Sequence, residues 1–160
     1  MAEWLRRGLQ ILLSQFDSGR GLQIKLNMNR EILKIALNTK NFSFLPKNTH
    51  KSKLKNSTCG DEIKIYLKVK KSKITDFKYE GEACIYCQAS ASLLSFCLIN
   101  KHIKKIPTLL SSAIKQFEKN ETSMKKECKN FLKIMNKSNI QRRNCLLLPL
   151  KATLKALKIK

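Results

Sequence analysis

Apolar and polar positions alternate over two neighbouring stretches in the middle of the chain. The positions expected to share one face are Ile63, Ile65, Leu67 and Val69 in the first stretch and Thr75, Phe77 and Tyr79 in the second. A period of two predicts half-buried strands, here over 62–70 and 73–80. Lys71 and Ser72 between them predict a two-residue hairpin, although neither is a strong turn former. The lysine-rich stretch 50–55 predicts a third strand at the edge of the sheet.

A helical period appears on both sides of this sheet. Apolar residues at helical spacing predict helices over 30–38, from residue 88 onward, over 103–118, over 121–136, and after residue 145. Small residues in the first turns of the second helix, Ala89 to Ser92, should let it lie close against the sheet or a metal site. The pattern predicts an α+β fold: a small three-stranded antiparallel sheet packed with about five helices.

Length and hydropathy indicate one folded domain. The chain has 160 residues, of which 42% are apolar, and this is enough for a single core. No run of eighteen apolar residues occurs, so a membrane-spanning helix is not expected. Residues 1–27 carry a separate helical pattern, which we interpret as an N-terminal extension ahead of a domain over 28–160. The alternative interpretation is an amphipathic targeting peptide.

The chain is strongly basic, with 33 basic and 11 acidic residues and a net charge of +22. Such a charge usually indicates nucleic acid or an anionic surface. The lysines are spread along the whole length and no recognition motif accompanies them. We therefore favour a solvated basic surface over nucleic-acid binding, while an acidic protein partner remains compatible with the charge.

Six cysteines leave two interpretations open. Three disulfides would suit a secreted protein, but the sequence has no convincing signal peptide. Cys97 and Cys128 fall within helical patterns, where thiols of the core are common. A reducing, cytoplasmic compartment with a metal-binding or reactive subset of thiols fits better. A redox pair formed by Cys84 and Cys87 is disfavoured without a βαβ context, so Cys87 is interpreted as an accessory or packed thiol.

The stretch Cys59-Gly60-Asp61 directly precedes the first predicted strand. Glycine permits a tight turn that would direct the thiol and the carboxylate the same way, which makes a candidate half-site for a metal. Cys84 and Cys145 could complete it, because three thiolates and a carboxylate form a tetrahedral zinc set and thiolates also hold iron–sulfur clusters. The spacings, 25 residues from 59 to 84 and 61 from 84 to 145, match no ordinary zinc finger.

Cys145 lies at or just ahead of the start of the last predicted helix. The positive end of the helix dipole and the adjacent Arg142 and Arg143 should favour its thiolate form. Pro149 leaves the start of that helix loosely defined.

Five runs in this order carry a family resemblance: 59–69, 74–77, 81–84, 88–92 and 142–150. Together they closely resemble the NifU-like family of iron–sulfur cluster assembly scaffolds, which includes IscU, SufU and the N-terminal domain of NifU. The similarity extends over nearly all of residues 28–160. It implies a small antiparallel sheet with helices packed on it, as in SufE/NifU-like folds.

The resemblance also implies a site and a function. The family's ligands correspond to Cys59, Asp61, Cys84 and Cys145. Scaffold members accept persulfide sulfur from a cysteine desulfurase, assemble a [2Fe-2S] cluster and pass it to recipient apoproteins. SufU members bind zinc at these residues and accept sulfur from the desulfurase SufS. The long interval before the last cysteine resembles the SufU branch.

Two departures from the IscU pattern stand near the last cysteine. Asn144 replaces a histidine, and the LPPVK chaperone motif is missing, so the specialised chaperone is not an expected partner.

As the residue that first accepts sulfur, we favour Cys59 and place Cys145 second. The function expected is thus a scaffold that binds iron or a [2Fe-2S] cluster. The alternatives are a zinc-dependent sulfurtransferase and a basic binding module stabilised by structural zinc.

Overall fold

Four α-helices and three β-strands follow one another in residues 30–118, 130–131 and 133–158, the part of the chain that the computed structural model describes. Their bounds are α1 Arg30–Ala36, β1 His50–Lys55, β2 Glu62–Lys70, β3 Lys73–Glu80, α2 Ile85–Leu98, α3 Ile106–Glu118 and α4 Arg143–Ala156. Short 3-10 helices over Ile103–Lys105 and Lys137–Arg142 precede α3 and α4. The predicted α+β class is confirmed. The extension over 1–27 and most of the helix expected over 121–136 lie outside the described residues.

The three strands form one antiparallel sheet in the order β1-β2-β3, as predicted. The hairpin between β2 and β3 turns through Lys71 and Ser72, whose φ angles are 46° and 58°. Two consecutive left-handed residues match the right-handed twist of the flanking strands. The connection is therefore a tight hairpin although its residues are poor turn formers.

The inner face of the sheet differs from the prediction at one place. Asp76 pairs with Lys68 and Ile74 pairs with Val69, so Thr75 is an extra residue in β3. This bulge moves the alternation by one position. Ile74 is consequently buried and Thr75 exposed, while Phe77 and Tyr79 face the core as expected.

Helix α2 packs against β3, α1 and α4, and α4 itself packs against β1 and β2. Helix α2 begins at Ile85, three residues before the predicted start, because Cys84 already occupies its N-cap position. The small residues of its first turns, predicted to let the helix lie close against the sheet or a metal site, are buried. The Ser90 hydroxyl donates to the Leu146 carbonyl at 2.6 Å, and this bond fixes α2 against the start of α4.

Helix α4 carries Cys145 as its third residue and continues through Pro149. Because proline has no N–H, the Cys145 carbonyl receives no α-helical hydrogen bond from residue 149. Thr153 donates its hydroxyl to the Pro149 carbonyl at 2.9 Å in the following turn. None of the helices in the described part of the chain is long and apolar enough to cross a membrane.

One expected core thiol is not free. Cys97 is half-buried and packs against the core, but it is disulfide-bonded, so the prediction of an ordinary core thiol is wrong for this residue. Cys128 lies outside the described residues. The other described cysteines, at positions 59, 84, 87 and 145, are free.

Candidate metal centre

The predicted ligands come from three separate elements at one end of the sheet. Cys59 and Asp61 lie in the turn 56–61 between β1 and β2, Cys84 is the residue before α2, and Cys145 is in the first turn of α4. The strand order brings the turn and the start of α2 together. Contact between α2 and α4 then adds Cys145.

Hydrogen bonds within the backbone close the turn 56–61. The Asn56 amide donates to the Asp61 carbonyl at 2.7 Å, and the Gly60 amide donates to the Asn56 carbonyl at 2.9 Å. Gly60 lies in the tight turn that the sequence predicts and has a left-handed φ of +78°. No atom would lie within 4 Å of a Cβ at this position, so its conformation rather than space selects glycine.

The four side chains converge. The Sγ atoms of Cys59 and Cys145 are 3.5 Å apart. Asp61 accepts hydrogen bonds from the Cys84 amide at 2.9 Å and from the Cys84 thiol at 3.1 Å. One ligand atom each from Cys59, Asp61 and Cys145 lies within 4.8 Å of the others.

These separations fit tetrahedral coordination of a metal ion. With metal–sulfur bonds of about 2.3 Å, tetrahedral geometry puts two sulfurs about 3.8 Å apart. The Cys59–Cys145 distance of 3.5 Å is close to this value. The donor set of three sulfurs and one carboxylate suits zinc or iron. Cys84 is not in the group of three whose ligand atoms lie within 4.8 Å of one another, and it contacts that group through its hydrogen bonds to Asp61.

The four candidate ligands differ in their exposure to solvent. Asp61 and Cys145 are buried, with 6% and 4% of their surfaces accessible, and Cys84 is half-buried. Cys59 is exposed. One side of the site is thus enclosed by protein, and the side formed by Cys59 is open to a partner or a ligand.

Asp61 has a pKa below its usual value although its carboxyl group is buried. Burial is the largest single influence on this pKa and raises it. Hydrogen bonds from the Cys84 side chain and amide, and from the thiols of Cys59 and Cys145, lower the pKa and together outweigh burial. Asp61 is therefore a carboxylate at neutral pH and can act as a ligand.

The thiols of Cys84 and Cys145 have pKa values above the usual range. Burial is the main cause for both. Hydrogen bonding to the Asp61 carboxylate raises both values further, and for Cys145 the bond to Cys59 does so more strongly. A metal ion would have to displace these protons, because only the thiolate is a good ligand.

The lowered pKa expected for Cys145 is consequently wrong for the metal-free protein. Cys145 is buried against neighbouring acidic groups, and this outweighs its position at a helix start. Arg142 does not compensate, since its guanidinium lies over the Tyr86 ring, with Cζ 5.6 Å from the ring centroid.

The sequence of residues 27–142 matches the family described as the NifU-like N terminal domain. The chain belongs to this family. The match covers most of the chain and confirms the family resemblance; it includes Cys59, Asp61 and Cys84 and ends three residues before Cys145.

Two curated relatives match shorter stretches of this NifU-like chain. The chain is 44% identical over 61 residues to "Iron-sulfur cluster assembly scaffold protein IscU" of Thermotoga maritima, covering 38% of the chain and 43% of the relative. It is 37% identical over 51 residues to "Zinc-dependent sulfurtransferase SufU" of Bacillus subtilis, covering 32% of the chain and 35% of the relative. The matched stretches thus span less than half the length of each relative.

Solved structures share the fold of the NifU-like chain over a greater length. The N-terminal part of a NifU-like protein from Brucella abortus has a TM-score of 0.69 at 22% identity, covering 82% of this chain and 92% of that one. A protein from Fervidobacterium islandicum, described in connection with iron–sulfur scaffolds of the SUF system, has a TM-score of 0.67 at 25% identity. It covers 79% of this chain and 93% of its own.

One side chain of the NifU-like chain contacts the site but was not predicted as part of it. The Asn56 side-chain amide donates to the Cys59 sulfur at 2.9 Å, and its carbonyl oxygen accepts from the Thr58 amide at 3.1 Å. An asparagine that bonds the amide two residues ahead is a common turn motif, and this signal could have identified Asn56. Cys87 is fully buried behind the ligands. Burial, followed by the charges of Asp61 and Cys84, raises its pKa, which favours the interpretation as a packed thiol.

Proposed function

We propose that this chain accepts persulfide sulfur from a cysteine desulfurase and holds iron or a [2Fe-2S] cluster as cargo for recipient apoproteins. The observation that carries this proposal is the convergence of Cys59, Asp61, Cys84 and Cys145 at one end of the sheet. Membership of the NifU-like family and the similarity to a protein named as an IscU scaffold support it.

Sulfur acceptance requires a thiol that a partner protein can reach. Cys59 is the exposed thiol among the four proposed ligands, whereas Cys145 is 4% exposed. In the proposed step, the Cys59 thiolate attacks the outer sulfur of the desulfurase persulfide. A new S–S bond forms on Cys59, the S–S bond of the donor breaks, and the donor cysteine leaves as a thiolate. Cys59 is therefore our first choice of acceptor, and Cys145 is the second.

Holding and releasing cargo place opposite demands on the ligands. The three thiolates would bind iron strongly, since sulfur ligands suit iron–sulfur clusters. Asp61 is a harder and weaker ligand for such a cargo, and its hydrogen bonds to Cys84 give its carboxylate an alternative partner after release. A scaffold needs this combination, because cargo held by four thiolates would be difficult to pass on.

A zinc-dependent sulfurtransferase is the second candidate. The similarity to the protein named as SufU favours it, as does the tetrahedral fit of the donor set. A zinc ion, when bound, would keep the thiols deprotonated and stabilise the fold. In this candidate a SufS-like desulfurase is the partner, and Cys59 again accepts the sulfur.

A purely structural zinc site in a basic binding module is the third candidate. An exposed ligand such as Cys59 disfavours it, because structural sites are usually closed. Asp61→Ala separates this candidate from the first two. A structural site would lose folding stability with the metal, whereas a scaffold variant would stay folded and hold its cluster differently.

Anaerobic purification followed by metal and sulfide analysis tests the proposal. After anaerobic incubation with Fe²⁺, cysteine, a cysteine desulfurase and excess dithiothreitol, which reduces persulfide sulfur to sulfide, a scaffold should contain equal amounts of iron and acid-labile sulfide. Cys59→Ser should reduce both, and Cys87→Ala, which removes a buried thiol beside the site, should retain them. Zinc without sulfide in the purified protein, with persulfide on Cys59, would support the sulfurtransferase instead. Zinc with no persulfide on any cysteine would support the third candidate, a structural zinc site.

A further inference from the structure

The side chain of Asn56 connects the turn 56–61 to the sulfur of Cys59. Its Nδ2 donates to the Cys59 Sγ at 2.9 Å, and its Oδ1 accepts from the Thr58 amide at 3.1 Å. Asn56 is half-buried, directly after the last residue of β1. The amide group is thus held by the turn on one side and faces the thiol on the other.

We propose that Asn56 is the positioning residue for Cys59, holding its sulfur toward the other ligands and donating a hydrogen bond to it when it binds a metal ion. The inference rests on the proposed metal-binding function of the site. It assigns a role to a residue that is not itself a ligand.

Cys59 needs such support more than the other ligands do. Asp61 and Cys145 are enclosed by surrounding atoms, with 6% and 4% of their surfaces exposed. Cys59 is exposed, so packing does less to select one rotamer for its side chain. The hydrogen bond from Asn56 restricts the sulfur to a position 3.5 Å from the Cys145 sulfur.

The same bond has an electrostatic effect. A hydrogen bond to a charged acceptor is roughly twice as strong as one between neutral groups, so the bond from the Asn56 amide should strengthen when the Cys59 sulfur binds a metal ion. Donors that contact a ligating sulfur also withdraw electron density from it and tune the bound metal. The hydrogen bond from Asn56 therefore supports metal binding in two ways, by orienting the Cys59 sulfur and by tuning it electrostatically.

The bond to sulfur can be separated from the structure of the turn. The Asn56–Asp61 and Gly60–Asn56 bonds join backbone atoms and survive any non-proline substitution. The bond from the Thr58 amide needs only a side-chain oxygen, which aspartate or serine can supply. Only the donation to the Cys59 sulfur requires the Asn56 Nδ2 group.

Cobalt binding to the full chain tests this inference, since Co²⁺ prefers similar ligands and its thiolate charge-transfer absorption reports on each bound sulfur. Asn56→Asp retains an acceptor for Thr58 and has no donor, and Asn56→Ser retains an acceptor but has a shorter side chain that withdraws its hydroxyl from the Cys59 sulfur. Ser57→Ala is the matched control in the same turn. We expect both Asn56 variants to bind Co²⁺ about 10–100-fold more weakly. Their charge-transfer absorption should move to longer wavelength, because the sulfur becomes a better electron donor.

The metal-free melting temperature distinguishes positioning from a purely structural role. We expect it to be similar in the wild type, Asn56→Ser and Ser57→Ala. Wild-type affinity and absorption in both Asn56 variants would overturn the inference while leaving the metal site intact. A fall in melting temperature with unchanged absorption would overturn it in favour of a structural role. A wild-type protein without cobalt–thiolate absorption would overturn both the site and the role of Asn56.

Discussion

The site has an exposed side, formed by the turn 56–61 with Cys59, and a buried side, formed by the segment that bears Cys84. A glycine on each side shows that the two are built in different ways. Gly60, in the turn 56–61, has a φ of +78° and open space where a Cβ would lie. Gly81, which precedes the segment bearing Cys84, has a φ of +151°, and a Cβ there would lie 2.1 Å from the Glu62 carbonyl oxygen. The exposed side is therefore fixed by backbone conformation and local hydrogen bonds, and the buried side by close packing.

The candidate ligands on the two sides are held by different contacts. The Glu62 amide donates to the Glu82 carbonyl at 2.8 Å, which fixes the segment before Cys84 to the start of β2. Cys59 depends instead on a short solvent-exposed turn. In the proposed function, the buried ligands would form a preorganised half of the site and Cys59 would meet the sulfur donor.

The largest effect should come from Gly81→Ala. The added methyl group would overlap the backbone of Glu62, which cannot move without disturbing the end of the sheet. We expect a loss of about 2–4 kcal/mol in the free energy of unfolding. Urea denaturation of the metal-free protein measures it. A loss below that of Gly60→Ala would show that the buried side is not the more tightly packed.

A pH dependence should follow from the buried thiols. The pKa values of Cys84 and Cys145 are raised above the usual 9.0, so the unfolded chain releases these protons at lower pH than the folded chain. Stability of the metal-free protein should therefore fall as pH rises above about 9, by up to about 1.4 kcal/mol per pH unit for each thiol.

Denaturation at several pH values would measure this decline. Cys145→Ser should make the slope less steep, and metal binding should remove most of it because bound thiolates have already lost their protons. An identical slope in wild type and Cys145→Ser would contradict the assignment of raised pKa to this thiol.

The smallest effect should come from Gly60→Ala. The side chain has room, but alanine disfavours the left-handed conformation by about 1 kcal/mol. Gly60→Asn should cost less, because asparagine adopts this conformation more readily. Urea denaturation of the wild type, Gly60→Ala and Gly60→Asn in parallel measures the three free energies of unfolding. If alanine and asparagine were equally destabilising, backbone conformation would not be the reason for glycine in this turn.

Local patterns in the sequence predicted most of the secondary structure. The bounds of all three strands and the Lys71-Ser72 hairpin were predicted because alternation is a property of adjacent residues. Thr75 was misplaced because its bulge depends on pairing with β2. The start of α2 was placed late, since its small residues give a weak apolar pattern and Cys84 is an unusual N-cap.

The candidate site was predicted in its residue types but not in its environment. The turn at Gly60 follows from three adjacent residues and was recognised. The bond from Asn56 to Cys59 depends on side-chain orientation, and the raised pKa of Cys145 depends on burial by distant segments. Neither property can be derived from spacing along the chain.

By itself, the sequence determined the strands, the hairpin, the glycine turn and the four chemical groups able to bind a metal. Each of these depends on short-range sterics or on the chemistry of a single side chain. Only the tertiary structure decided that Cys59, Asp61, Cys84 and Cys145 meet, and that Cys59 alone among them is exposed. Packing of α2 and α4 at the end of the sheet sets those distances, because it brings together residues up to 86 positions apart.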